Sequence, residues 1–178
     1  MAFEANPSVS KYLKQSVEMN GLLSVVNVFD KGAGDTPGEA YVNFGVKNIG
    51  GGSIVNQPGD GTLKTEIVRL DDVISDKKVD LIKIDVEGYE FKVLKGAQTL
   101  LEYNKEDLIL MMEWIPGHLN NKGTDPEVFV DFLKKRGGKV WRVGKIKDDE
   151  PPLVAITWEA LLKTEAMDIV ISKRPLDD

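Results

Sequence analysis

The chain has 178 residues, enough for one domain and short for two, and 42% of them are hydrophobic, so a real core is within reach. Twenty-nine acidic against 23 basic residues give a net charge of −6, which argues against nucleic acid as main partner because phosphate binding draws on clustered Lys and Arg. There is no cysteine, hence no disulfide, thiolate metal site or cysteine nucleophile, no apolar run approaching the roughly 20 residues of a membrane span, and no secretory leader in Met1–Pro7, so a single cytoplasmic domain over residues 1–178, away from membranes, is expected.

Phe3–Glu4 reads as the tail of a strand. Asn6–Pro7 then matches a helix start, Asn as N-cap and Pro at the first helical position. Val9, Tyr12, Leu13 and Val17 fall at helical spacing, and Asn20–Gly21 closes the helix. Ser24–Asp30 is a predicted strand, with Lys31–Asp35 as a tight loop at its carboxyl end. Tyr41–Phe44 and Thr65–Leu70 are shorter strands with the pattern of a hairpin, and the glycine-rich stretch Gly45–Gly61 between them is expected to be a mobile loop.

From Val79 the chain is nearly continuous in apolar residues, as expected of a strand covered on both faces. It ends in Asp85 and Glu87 and turns at once into a helix with one apolar stripe, Val93, Leu94, Ala97, Leu100 and Leu101. Leu108–Trp114 is the next buried strand. Thr124–Pro126 starts a helix with Phe129, Phe132 and Leu133 inward and Gly137–Gly138 at its end. Lys139–Val143 is a strand, Thr157 caps a short helix through Leu162, and Asp168–Ser172 is a last strand. Trp114, Trp141 and Trp158 read as packing residues. Strands alternating with helices imply an α/β fold with a mainly parallel sheet covered on both sides. No internal repeat or convincing linker interrupts the pattern.

Ligands collect at the carboxyl ends of strands in open α/β sheets, so the strand ending at Asp85 looks like the floor of a site. Glu4, at the end of the first strand, is either a carboxylate that accepts from the two hydroxyls of a ribose or a surface Glu near a helix N-terminus. Lone His118 is a candidate general base or a surface loop residue. Asp85 and Glu113 end adjacent strands and either converge on a hard cation such as Mg²⁺ or act as separate acceptors. Period two puts Lys83 on the face of Asp85, where a buried Lys needs a carboxylate partner or a substrate. Gly32–Gly34 and Gly50–Ser53 lack the spacing of a phosphate cradle, which also disfavours a nicotinamide-dinucleotide site.

Leu70–Ile74 followed by Val79–Ala97, with its run Ile-Asp-Val-Glu-Gly-Tyr-Glu-Phe-Lys-Val-Leu-Lys-Gly-Ala, closely resembles the FkbM family of S-adenosylmethionine-dependent methyltransferases. Ala2–Pro7, Asn20–Gly21 and the Glu-Trp end of Leu108–Trp114 resemble it too. The resemblance implies a Rossmann-like class I methyltransferase sheet, mainly parallel with one reversed strand and flanked by helices. It implies an O-methyltransferase acting on a hydroxyl of a sugar or natural-product-like small molecule, with S-adenosylmethionine as cofactor. Glu4 then matches the ribose-binding acid, and Asn6, Asp30, Lys31 and Ala33 fall in the cofactor region, with Asp85 beside donor and acceptor. Asp85, Glu87 and Glu113 are the expected catalytic group, with Lys83 and His118 as helpers.

In one respect the chain departs from the family. It opens at what corresponds to the second strand and contains no Asp-x-Gly-x-Asn-x-Gly segment. The expectation is therefore a domain without its first strand and helix, which binds the cofactor weakly or not at all by itself. It would be half of a split enzyme, a fragment joined by a missing N-terminal segment, or a non-catalytic methyltransferase-like domain kept for protein association, including a homo-oligomer. In every version the tips carrying Glu4, Asp85 and Glu113 are expected around one crevice.

Overall fold

A computed structural model gives the fold and describes residues 1–45, 48–55, 57–74, 78–145, 147 and 149–176. It forms two compact units, Met1–Val73 with Lys92–Ala97, and Ile74–Phe91 with Gln98–Asp178.

In the first unit, β1 (Ala2–Phe3) lies parallel to β2 (Val28–Phe29), and the Phe3 and Phe29 rings stack with centroids 4.7 Å apart. Between them runs α1 (Pro7–Met19). Asn6 caps it by accepting the N–H of Ser8 at 2.9 Å and of Val9 at 3.4 Å, and Asn20 closes it by donating to Ser16 O. Ser10 and Val17 form its buried line. Tyr12, expected inward, is 69% exposed, because it sits about 200° round the helix from Ser10.

The strand expected over Ser24–Asp30 is confined to β2. The N–H groups of Val25 and Val26 both donate to Leu22 O, at 3.0 and 2.9 Å, and this turn leaves Leu23 and Val25 exposed. The stretches expected as loops also contain strands. β3 (Gly32–Ala33) runs parallel to β6 (Leu63–Val68), and β5 (Asn48–Val55) pairs antiparallel with β4 (Gly38–Gly45). β4 pairs antiparallel with β6 as expected, but β5 lies between them in sequence, so the hairpin is β4–β5 and the order is β3-β6-β4-β5. A glycine run reads as punctuation in sequence, yet backbone pairing needs no side chain. Residues 46, 47 and 56 of that stretch lie outside the described residues. α2 (Leu70–Val73) follows β6.

The second unit is built on a five-stranded sheet. Its order is β10 (Leu153–Ile156), β9 (Lys139–Val143), β11 (Met167–Ser172), β8 (Ile109–Trp114), β7 (Leu81–Ile84). β7 and β8 are parallel, whereas β11 is antiparallel to both β8 and β9, and β10 to β9. The mainly parallel sheet is thus corrected to a mixed one, because short connections return the chain antiparallel on the β9–β10 side. The continuous coverage of the strand from Val79 is corrected as well. β7 stands at the end of this sheet, Leu81 is 55% exposed, and Lys83 is exposed rather than buried.

The helix expected after β7 is two short ones, α3 (Glu90–Lys95) and α4 (Gln98–Tyr103), separated at Gly96–Ala97. α5 (Pro116–Asn121), α6 (Pro126–Lys135) and α7 (Trp158–Leu161) complete the unit. Along β8 the burial alternates, with Leu110, Met112 and Trp114 in the core and Glu113 half-buried. Trp114 Nε1 donates to Leu161 O at 3.0 Å, which meets its one polar group. Phe91, Phe129 and Phe132 cluster beside it, and α6 is capped by Asp125. Among the described residues no helix is long and apolar enough to cross a membrane.

Candidate functional site

β7 and β8 end side by side, with Ile84 in register with Met112, so the residues that follow them emerge together. After β7 the chain makes a tight turn. Glu87 (φ 53°) and Gly88 (φ 94°) both take left-handed backbone, a conformation that costs a side-chain-bearing residue such as Glu87 about 1 kcal/mol or more. Gly88 lies against the His118 backbone so closely that an added Cβ would stand 2.5 Å from His118 O. Glu90, 2% exposed, holds the turn from beneath: its Oε1 accepts the N–H of Gly88 at 3.1 Å and of Val86 at 3.3 Å. Burial pushes the Glu90 carboxyl above its ordinary range, and these donors act against the shift.

This backbone aims Glu87 at α5. Glu87 Oε2 lies 3.2 Å from His118 Nδ1, without the alignment of a hydrogen bond. Glu113, the penultimate residue of β8, completes a group in which the donor atoms of Glu87, Glu113 and His118 lie within 4.8 Å of one another. Glu113 Oε2 and His118 Nδ1 are each shielded from solvent and have no hydrogen-bond partner. The Glu113 carboxyl is pushed up by burial first, then by the charges of Asp85, Glu87 and Glu90, with His118 pulling the other way. Asp168 stands opposite Glu113 in register on β11, a further acidic neighbour.

The other expected residues are placed differently. Asp85 is exposed and pairs with Lys83 at 2.9 Å, so Lys83 has the carboxylate partner that sequence reasoning required of it, at the surface rather than in the core. Glu113 is grouped with Glu87 and His118, not with Asp85. In the first unit Glu4 Oε1 accepts the Asn6 N–H at 2.7 Å. Asn6 is 3% exposed, and while Oδ1 caps α1, its Nδ2 has no partner. Both oxygens of Asp30 are taken, Oδ1 by the Ser10 hydroxyl and Oδ2 by Lys14, and these bonds, Lys14 first, hold its carboxyl below the usual range. Lys31 pairs with Glu66 at 2.9 Å, and Ala33 is held in β3 opposite Val68.

The sequence matches the family model of the methyltransferase FkbM domain over residues 1–140. The chain belongs to the FkbM methyltransferase family. The crystal structure of methyltransferase FkbM from Methylobacillus flagellatus KT is similar, with a TM-score of 0.56 and 15% sequence identity over 95% of this chain and 35% of that one. At such identity the likeness shows a shared mixed α/β fold, and this chain spans 35% of that protein's length. No curated protein matches the chain at a significant level.

Within this FkbM domain half of the run from Val86 to Ala97 has a physical reason for its residue type. Gly88 admits the His118 backbone and Glu90 ties the turn. In the first unit Val93, Leu94 and Ala97 are at most 3% exposed. Gly96 lies against Gly34, whose carbonyl oxygen would stand 1.9 Å from an added Cβ. Sequence reasoning missed Glu90 and Asp168. Glu90 had a signal, being an acidic residue inside the motif two places after the turn glycine.

Proposed function

We propose that this FkbM domain serves an S-adenosylmethionine-dependent O-methyltransferase that modifies a hydroxyl of a small molecule, a sugar or natural product in kind. The observation that carries the reading is the pair of shielded, unpartnered donor atoms, Glu113 Oε2 and His118 Nδ1, beside Glu87 on the loops after β7 and β8. Buried polar atoms without partners are rare in folded proteins. They adjoin the side chains of His118 and Glu87, which are 41% and 32% accessible, so the group lies at the edge of the exposed surface.

When bound, S-adenosylmethionine supplies an electrophilic methyl on its sulfonium, which leaves as a neutral thioether once the acceptor oxygen takes the methyl. The chain's residues handle the proton and the position. A hydroxyl that gains a methyl must lose its proton, and Glu113 or His118 accepts it at Oε2 or Nδ1. Glu87, whose Oε2 lies 3.2 Å from Nδ1, stabilises through its charge the imidazolium that results. Asp85, exposed at the end of β7, offers an acceptor for a second hydroxyl of a polyol. For the cofactor, Glu4 and Asn6 are the residues of this chain that fit. Glu4 spends one oxygen on the Asn6 N–H, and the buried Asn6 Nδ2 is an orphan donor. Asp30 and Lys31 fit less well, since both are already paired.

The test is methyl transfer from labelled S-adenosylmethionine to a panel of hydroxylated sugars and natural products. With a responding acceptor, Glu113→Gln and His118→Ala should each cut turnover by roughly 10²–10⁴ without lowering the thermal unfolding midpoint. Full turnover in both variants would overturn the assignment.

A further inference from the structure

We propose that Glu87, Glu113 and His118 form a three-ligand site for a divalent first-row transition ion such as Zn²⁺, with a fourth position left to fill. The inference rests on the methyltransferase reading and deepens it, because an ion at this cluster would take the acceptor oxygen as its next ligand and acidify its proton. That proton then leaves to solvent instead of passing to Glu113 or His118, whose atoms are bound to the ion.

The donor set is one imidazole nitrogen and two carboxylate oxygens, all within 4.8 Å of one another. Ligands held at about 2.1 Å from one ion stand about 3.0–3.4 Å apart, and Glu87 Oε2 and His118 Nδ1 are 3.2 Å apart without hydrogen-bond alignment. The separation fits either arrangement, and the missing alignment favours two ligands of one ion over a donor and its acceptor. Glu113 Oε2, shielded and unpartnered, points to the same conclusion from a second residue. A buried carboxylate oxygen left without donor or cation costs about 1–3 kcal/mol or more, and a cation removes that cost.

Charge adds to the argument. Glu113 feels the negative charges of Asp85, Glu87 and Glu90, and the Lys83 ammonium is engaged at Asp85, 2.9 Å away. The imidazole ligand favours Zn²⁺ over Mg²⁺, which prefers an all-oxygen shell. Three protein ligands leave a fourth position to fill, as in metal sites that bind substrate rather than closed structural ones. The ligands are held by rigid backbone. Glu87 is fixed by the turn that Glu90 ties, Gly88 packs on His118, and Glu113 lies in the β8–β11 ladder.

Calorimetric titration of chelator-treated protein with ZnCl₂ tests the site. The expected result is one Zn²⁺ per chain with a Kd of about 10 μM or tighter, and no saturable heat with MgCl₂. His118→Ala and Glu113→Gln should each weaken Zn²⁺ binding by roughly 10–100-fold. Glu106→Gln, which removes a surface carboxylate paired with Lys173, should leave it unchanged. Glu113→Gln keeps the side chain's shape and guards against a His118→Ala variant that fails to fold. Absence of one-to-one binding up to about 1 mM, affinity unaltered in either folded ligand variant, or an equal loss in Glu106→Gln would each overturn the proposal. The methyl-transfer assay on the same variants keeps the two readings apart. Turnover lost in Glu113→Gln and His118→Ala without zinc binding defeats the metal site alone, and zinc binding with full turnover in both variants defeats the methyltransferase reading of this site alone.

Discussion

The first unit satisfies its carboxylates with donors, whereas the second, which also pairs Asp85 with Lys83 and Glu150 with Arg142, leaves one group of them unsatisfied. In the first, Glu4 holds the Asn6 N–H, Asp30 is taken by Ser10 and Lys14, and Asp35 pairs with Lys95 at 2.5 Å. In the second, Glu87, Glu113 and His118 converge with two of their donor atoms unpaired. A carboxylate that has found its donor supports the fold, whereas one pressed against other carboxylates without a donor reduces stability and is kept for chemistry. The contrast separates residues that a motif contains for architecture from those it contains for reaction.

The second unit should break most severely where backbone meets backbone. Gly88→Ala places a Cβ 2.5 Å from His118 O at a φ of 94°, and a loss of about 3 kcal/mol or more is expected in urea unfolding. A loss under about 1 kcal/mol would mean that the turn is not pinned to α5. Next comes Glu90→Ala, which strips the partner from the N–H groups of Val86 and Gly88 and should cost about 1–3 kcal/mol. Glu90→Gln keeps an oxygen acceptor and should cost much less. Equal losses in the two variants would show that the charge, rather than the acceptor, holds the turn.

A milder effect is expected in acid. Arg142 grips both oxygens of Glu150, at 2.5 and 2.6 Å, and the Lys145 N–H adds a third bond, so the carboxyl is held down to about 2. A lowered folded-state pKa contributes stability above the ordinary value of 4.5, and that contribution is lost as pH falls towards about 2. Wild type should therefore exceed Glu150→Gln in urea midpoint near neutral pH and converge with it near pH 2. A gap that persists in strong acid would contradict the pairing. Smallest of all should be Asp30→Asn in the first unit. Its partners are half exposed and the pair is screened, so a change below about 1 kcal/mol is expected.

Much of this was readable in the sequence because it is local. Asn6, Asp125 and Thr157 cap their helices where short-range rules put them, and Lys139–Val143 is a strand from end to end. What escaped depends on distant partners. The glycine run in β5 pairs only because β4 lies beside it, and Leu81 is exposed because β7 ends its sheet. The site was half legible. Glu87, Glu113 and His118 were each candidates, but their convergence rests on the left-handed Glu87–Gly88 turn, and Asp85, the most conspicuous acid in the motif, turns outward to Lys83.

The central claim is that Glu113 is held in place at the expense of stability. Thermal unfolding of wild type and Glu113→Gln near neutral pH with chelator present tests it most directly. Removing a shielded charge that faces Asp85, Glu87 and Glu90 should raise Tm by about 2–4 °C. A fall in Tm of that size would show that Glu113 is a structural carboxylate like those of the first unit, and would contradict the account.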